Sequence, residues 1–229
     1  MEFNYFVIWN VGQGLWQSYI TPSKCYHFDM GGEKAPWNLL KSVCKRKTNI
    51  VRISHWDLDH YGFFKNFNRQ FTDICFSHLE IPDKKIKFKW LLKKQNLCEK
   101  LNMTYQSWRP SLQHQVFTDK HGSNAFSEVL VFKDILMTGD SPKEIEAQWA
   151  NDLKLNTIKK LIVGHHGSNT SSSLKLLNKL KALNPFFVGI ASSRKKRYGH
   201  PHWAVKMRFK KIKAPLITTE KWGHIIYRY

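Results

Sequence analysis

The sequence predicts an α/β fold in which helices cover two sheets, and three observations carry that expectation. Short apolar runs, many of them β-branched, recur along the whole length. Between them lie longer segments whose leucines return at helical spacing. The residues able to do chemistry gather where apolar runs end, as expected for function carried on loops of a rigid scaffold. At 229 residues and 42% hydrophobic, the chain can bury a full core, and a single domain over 1–229 is expected.

Strands are expected at 5–9, 17–20, 26–28, 50–54, 73–77, 128–132, 135–137, 161–163, 186–190, 215–218 and 224–227. Helices are expected at 37–45, 86–101, 143–153 and 174–183. The fourth strand is the clearest, because Asn49-Ile50-Val51-Arg52-Ile53-Ser54 alternates and is rich in β-branched residues. Val129-Leu130-Val131-Phe132, the polar pair Lys133-Asp134 and Ile135-Leu136-Met137 read as a hairpin. In the last helix Leu174, Leu177, Leu180 and Leu183 recur every three residues and are assigned to the core. The cysteines Cys25, Cys44, Cys75 and Cys98 are far apart without a Cys-X-X-Cys pair, and are expected to be reduced.

The fourth strand runs into Ser54-His55-Trp56-Asp57-Leu58-Asp59-His60-Tyr61-Gly62. A lone His or Asp carries no weight; His55, Asp57, Asp59 and His60 together do. In extended backbone, residues two apart point the same way, so His55, Asp57 and Asp59 can converge while a local turn brings His60 round. Mixed imidazole and carboxylate ligands suit zinc, manganese or iron, and a cluster without cysteine argues for an open, catalytic site. Ligand-type residues recur later at run ends: Thr138-Gly139-Asp140 follows the hairpin, and Gly164-His165-His166-Gly167-Ser168 follows Leu161-Ile162-Val163. Asp140 could bridge two ions, and the glycines would let the backbone turn beside the histidine pair.

Taken in order, these motifs resemble the metallo-β-lactamase fold hydrolases, and among them the hydrolase domain of ComEC-type DNA-uptake proteins. The resemblance also rests on Asn10-Val11-Gly12-Gln13-Gly14, Phe28-Asp29-Met30-Gly31-Gly32, Asn124 and Ser127, Tyr198-Gly199-His200-Pro201, and Thr219 with Gly223. It covers nearly the whole chain and implies a four-layer αββα sandwich. It assigns His55 and Asp57 to one ion, Asp59 and His60 to a second, and one of His165 and His166 to complete the second site, leaving open which. Two divalent ions, zinc or manganese, would share Asp140 and a hydroxide that attacks phosphorus. Asp59, His165 and His200 are candidates for direct roles in catalysis; His200 could equally be a supporting group. Asn124 and Ser168 are candidates to orient ligands or substrate.

The sequence departs from the family pattern at Asn10, where Asp is usual, at Leu15-Trp16, where Asp-Ala is usual, and at Phe63, where glycine is usual. The opening motif is expected to shape a loop near the metals, so its changes at Asn10, Leu15 and Trp16 should alter the cleft and spare the metals. Asp57 stands where true β-lactamases have histidine, which disfavours lactam hydrolysis; His121 is expected to be a loop residue.

With 37 Lys and Arg against 17 Asp and Glu, the formal net charge is +20, which points to a polyanionic partner. The excess is clustered at Lys45-Arg46-Lys47, at 84–94, at Arg194-Lys195-Lys196-Arg197 and at 206–213. Arg194, Lys195, Lys196 and Arg197 run straight into the His200 motif and are candidates to lead a phosphate backbone to the metals. Interleaved aromatics, as in Phe88-Lys89-Trp90 and from Trp203 to Phe209, suit stacking of single-stranded bases, and some of the nine tryptophans should be exposed.

The expected function is a metal-dependent phosphodiesterase acting on DNA, with single strands preferred. A small-molecule hydrolase such as a nucleotide or phosphocholine phosphodiesterase is a second reading, and a nucleic-acid-binding protein with a structural metal site a third. No run is long enough to span a bilayer, so the membrane channel of ComEC proteins would have to be encoded separately. The family motifs begin too close to Met1 for a signal peptide, which predicts a cytoplasmic location, with a periplasmic or membrane-associated one as the alternative.

Overall fold

Strand β1 (Tyr5–Ile8) pairs antiparallel with β2 (Gln17–Ile20), and β2 with β3 (Lys24–Phe28). From β3 the sheet turns parallel, through β4 (Thr48–Arg52) to β5 (Ile74–Phe76). A parallel step needs a crossover. Helix Trp37–Cys44 supplies the first, and Leu58–Tyr61 with Phe64–Gln70 the second. The computed structural model describes residues 3–81, 86–99, 103–110 and 121–229.

The chain divides into two compact units, and each contains a six-stranded sheet. The first unit, Met1–Asn102 with Gly223–Tyr229, has the order β12-β1-β2-β3-β4-β5, where β12 (Ile225–Arg228) is the last strand of the chain. The second, Met103–Trp222, contains β6 (Gln106–Trp108), β7 (Val129–Phe132), β8 (Ile135–Met137), β9 (Lys160–Ile162), β10 (Val188–Ala191) and β11 (Leu216–Thr218). Its order is β11-β10-β9-β8-β7-β6, with β6, β7 and β8 antiparallel and β8 to β11 parallel. Helices Glu146–Asp152, Leu174–Leu183 and Trp203–Lys211 make its parallel crossovers.

Each unit has its own core. Val7 and Trp9, and Val51 and Ile53, lie two residues apart on one face of the first sheet, against Leu40, Phe64 and Phe67 from its helices. In the second unit Val129, Val131, Leu161 and Val163 pack with Leu176, Leu177, Leu180 and Phe209. The leucine spacing is corrected in one respect: Leu176 is buried and Leu183 is exposed. The helix begins at Ser173, whose hydroxyl accepts from the Leu176 N–H at 3.2 Å, so the buried stripe is set one residue off the simple period of three.

Two expectations are overturned. The cysteines are paired, Cys25 with Cys44 and Cys75 with Cys98, at Cα separations of 5.9 and 5.1 Å. Each residue pair is brought together by the fold: Cys25 on β3 meets the last residue of helix Trp37–Cys44, and Cys98 lies beside β5. The second pairing explains the other correction. The helix expected over 86–101 is only Lys89–Leu92, because Asn96 and Cys98 instead exchange backbone hydrogen bonds with Phe76 on β5, at 2.9 Å each. Residues 100 and 101 of that expected helix, and Lys84 and Lys85 of the basic run, lie outside the described residues.

Strand β6 and the helices after Asp57, Phe63, Arg194, His202 and Thr218 were not expected from the sequence. Among the described residues, no helix is long and apolar enough to cross a membrane.

Candidate metal centre

Parallel neighbours deliver the ligand-type residues side by side. Asp29 follows β3 and Ser54-His55 follow β4, so they leave adjacent parallel strands. Asp29, at φ 55°, is buried, and its carboxylate accepts from the Ser54 N–H at 2.7 Å and the Ser54 hydroxyl at 2.8 Å. The His60 ring is held to the same carboxylate through Nδ1 at 2.8 Å. With its proton committed to Asp29, the Ser54 oxygen accepts from His55 Nδ1 at 3.1 Å. Both imidazoles therefore carry the proton on Nδ1 and turn a lone pair outward at Nε2. This is how a carboxylate beneath a histidine fixes the tautomer of a metal ligand.

His55 and Asp57 are brought together, with Nε2 to Oδ2 at 3.5 Å. The ligand atoms of His55 and His60 lie within 4.8 Å of one another, and so do those of Asp59 and His60. Convergence by simple extended alternation is corrected, because Asp59 and His60 sit in the helical turn Leu58–Tyr61 that starts after extended Asp57. That turn is braced through its backbone. The Leu15 and Met30 N–H groups donate to the carbonyls of Asp59 (2.9 Å) and His60 (2.6 Å). A Cβ on Gly31 would lie 2.1 Å from the Asp59 carbonyl carbon, so only glycine permits this approach. In the Asn10-to-Gly14 segment the Asn10 N–H donates to His224 at 2.9 Å, and just beyond it Trp16 enters the core.

In the second unit β8, β9 and β10 are adjacent and parallel, and their carboxyl ends carry Asp140, the histidine pair and Ser192. The Ser127 hydroxyl accepts the Asp140 N–H at 3.0 Å, and the Gly139 carbonyl accepts the His165 N–H at 3.0 Å. Sequence inspection places the turning freedom on the glycines; in fact both histidines are themselves left-handed, at φ 48° and 54°. Such backbone costs about 1–3 kcal/mol per residue and recurs at functional sites. Gly167 is needed as well, since a Cβ there would meet Pro201 at 2.8 Å.

The two histidines are oriented differently. His166 is buried and its Nδ1 lies 3.1 Å from the Ser192 carbonyl, which can only accept. Its Nε2 is then a lone pair, 3.8 Å from Asp140 Oδ1. Two acceptors facing each other this way fit a shared cation. His165 is half-exposed, and its Nδ1 accepts from the Asn124 amide at 3.4 Å and lies 3.0 Å from Thr170 Oγ1. Its Nε2–H is left directed at Asp140 Oδ2, 3.6 Å away. The hydrogen bonding therefore favours His166 as ligand and His165 as a donor. Ser168 acts one step back, bonding Thr170 Oγ1 at 3.0 Å.

His200 precedes a cis peptide to Pro201, with its ring centroid 6.2 Å from that of His165. Burial pushes its pKa down to about 4, helped by His166 and His165 and opposed by Asp140. At neutral pH this leaves the imidazole uncharged, with one nitrogen donating and the other accepting. His121, expected in a loop, instead stands in a helical segment at the start of the turn Gly122–Phe126, 3.4 Å from Glu144.

Arg194, Lys195, Lys196 and Arg197 are exposed, on and just before the helix Lys195–Tyr198 that leads into Gly199-His200, with the Arg197 guanidinium 5.2 Å from the Tyr198 ring centroid. Of the interleaved aromatics, Trp90 and Trp203 are exposed and Phe209 is buried; Trp222 is exposed too. Sequence reasoning missed Asp29 as the partner of His60, although it was visible inside the Asp-Met-Gly-Gly motif. It also missed Arg208, whose guanidinium donates to the carbonyls of Ser171 (3.0 Å) and Ser172 (3.2 Å) behind the histidine loop. No sequence signal singled out Arg208 from the other cations.

No family model matches the chain. Among curated proteins it is 26% identical to Competence protein ComA of Neisseria gonorrhoeae and 26% identical to Recombination protein 2 of Haemophilus influenzae, each over 94% of this chain. It is also 32% identical to ComE operon protein 3 of Bacillus subtilis over 41% of this chain. The chain spans only 31%, 28% and 12% of the length of these relatives. Among solved structures it resembles the metallo-β-lactamase fold protein YhfI of Bacillus subtilis, with TM-score 0.56 and 9% identity over 100% of both chains. A diphosphatase from the PhnP family gives TM-score 0.56 and 11% identity over 95% of this chain and 84% of its own. The chain thus has the metallo-β-lactamase fold and is ComEC-like in sequence, with His and Asp clusters that could hold metal.

Proposed function

We propose that this protein is a metal-dependent phosphodiesterase that hydrolyses DNA, with single strands preferred. The observation that carries the reading is the orientation of His55, His60 and His166. Each has Nδ1 engaged by the protein, so that Nε2 is left as a ligand beside carboxylates. His55, Asp57, Asp59 and His60 in the first unit, and Asp140 and His166 in the second, are the residues that would offer ligands to divalent ions, zinc or manganese, two of them by the family resemblance. Such ions, when bound, would acidify a coordinated water and stabilise charge on a phosphate. In the first unit Asp29 and Ser54 fix the imidazoles; in the second His165 presents an N–H and neutral His200 can accept. The formal charge of +20 favours a polyanionic substrate, and the competence relatives make DNA the natural one.

The disulfides favour an oxidising compartment over the cytoplasm, so we place the protein in the periplasm or at a membrane surface. A membrane channel for DNA is the partner that this location and the competence relatives favour.

The test is incubation with end-labelled single- and double-stranded DNA, with zinc and separately with manganese, beside Asp140→Ala. Metal-dependent degradation lost in the variant is expected. Intact DNA together with hydrolysis of bis(p-nitrophenyl) phosphate would sink the DNA reading and leave a small-molecule hydrolase.

A further inference from the structure

Helix Trp203–Lys211 has one face in the core, through Val205 and Phe209. The opposite face is unusual for a crossover helix. Trp203 is 69% exposed and Met207, one helical turn later, is 51% exposed, so the two stand on the same side. With Leu174 they line a groove of about 530 Å³ that is edged by Arg208, Lys210 and Lys211. Lys206 lies one turn before Lys210, and the helix contains no acidic residue. Arg208 is committed to the histidine loop, which leaves exposed Lys210 and Lys211 at the groove, with Lys206 half-buried one turn earlier. The helix starts directly beside the candidate centre: the His202 N–H donates to the Gly167 carbonyl at 2.8 Å.

We infer that this face is a landing strip for single-stranded DNA, with a base stacked on Trp203, Met207 beneath its neighbour, and phosphates on Lys206, Lys210 and Lys211. The inference rests on the DNA reading given above and supplies the surface that guides the strand. The helix is roughly 13 Å long, about four nucleotides at ~3.4 Å each, enough to fix the direction of a strand that ends at His200. An exposed aromatic ring, here with the His202 ring 5.8 Å away on one side, and cations beside it are what sequence-independent single-strand binding requires. A membrane surface fits less well. Insertion needs a continuous apolar face, and here Val205 and Phe209 are already in the core, so Trp203 and Met207 are the helix's only exposed large apolar side chains.

The test is fluorescence anisotropy of fluorescein-labelled oligo(dT) with the full chain and no added divalent metal, beside duplex DNA and anionic lipid vesicles. Trp203→Ala is expected to weaken oligo(dT) binding about 5- to 150-fold, the range for one stacked base. Lys206→Ala/Lys210→Ala should flatten the slope of log K against log salt by about 1.4, two single-strand phosphate contacts. Unchanged circular dichroism would show that the variants are folded, and Trp203→Phe should restore most of the binding. Oligo(dT) affinity untouched by Trp203→Ala would overturn the inference, as would vesicle binding that depends on Trp203 while oligo(dT) is not bound. If no DNA is cleaved yet Trp203→Ala weakens binding, the strip stands and the nuclease reading fails. Cleavage and binding indifferent to Trp203 would do the reverse.

Discussion

Breaking the two disulfides should remove a large part of the stability of the first unit. Cys25–Cys44 closes a loop of 19 residues and Cys75–Cys98 one of 23. In the chain-entropy treatment each removes about 3 kcal/mol of freedom from the unfolded chain, and because the loops do not overlap the effects should add to about 6 kcal/mol. That is comparable with the whole stability of many domains. The assay is urea unfolding followed by tryptophan fluorescence, which reports on the first unit's core through buried Trp9 and Trp16. With a urea dependence of about 1–3 kcal/mol/M, losing one bridge should lower the midpoint by about 1–3 M. Wild type with and without a reductant, together with Cys44→Ala and Cys98→Ala, separates the bridges. Four reactive thiols in the native, oxidatively purified protein, or equal midpoints with and without reductant, would refute the reasoning.

Three further outcomes follow from named contacts. Asp29→Asn should keep the fold but weaken zinc affinity about 10- to 100-fold, read by competition with a chelating dye, because His60 loses the anion that fixes its tautomer. Gly31→Ala forces a Cβ into the Asp59 carbonyl, so metal content measured after gel filtration should fall well below that of wild type. His27 is fully buried, with Nδ1 accepting from Ser18 (2.8 Å) and Trp16 (3.3 Å) and Nε2 facing Asn49 Oδ1 at 3.1 Å. Burial drives its pKa from 6.5 to about 4. A depressed folded pKa on a base means stability that is complete above 6.5 and is lost as pH falls through about 4, a difference of roughly 3 kcal/mol. Urea midpoints for His27→Gln should vary less between pH 7 and 4 than those of wild type, and parallel profiles would count against the assignment.

What was legible in the sequence was chemistry at strand ends. His55, Asp57, Asp59, His60, Asp140 and the histidine pair announce themselves by residue type, and the runs before them read as strands, so cluster and scaffold could be placed together. The illegible parts depend on contacts between distant residues. Cys25 and Cys44 look unrelated until a crossover helix returns Cys44 to β3, and the lysine-rich stretch after Ile86 has helical composition that pairing with β5 overrides. His165 and His166 are equivalent in sequence. Only the Ser192 carbonyl beneath one and the Asn124 amide beside the other distinguish them.

The departures from the family pattern show why single positions were misread. Trp16 and Phe63 both replace small residues, and each alone looks like an intrusion into the cleft. In the structure their rings lie 6.0 Å apart and share Trp37 as a neighbour, at 5.7 Å from Trp16 and 6.0 Å from Phe63. Trp16 also donates to His27, so the enlarged cluster carries its own polar satisfaction. Leu15, between this cluster and the glycine loop, meanwhile keeps the backbone bonds that brace Asp59 and Gly31. Leu15 and Trp16 thus separate the two demands on the opening motif: the main chain at Leu15 holds the ligand turn, while the side chain of Trp16 is free to rebuild the core beneath it.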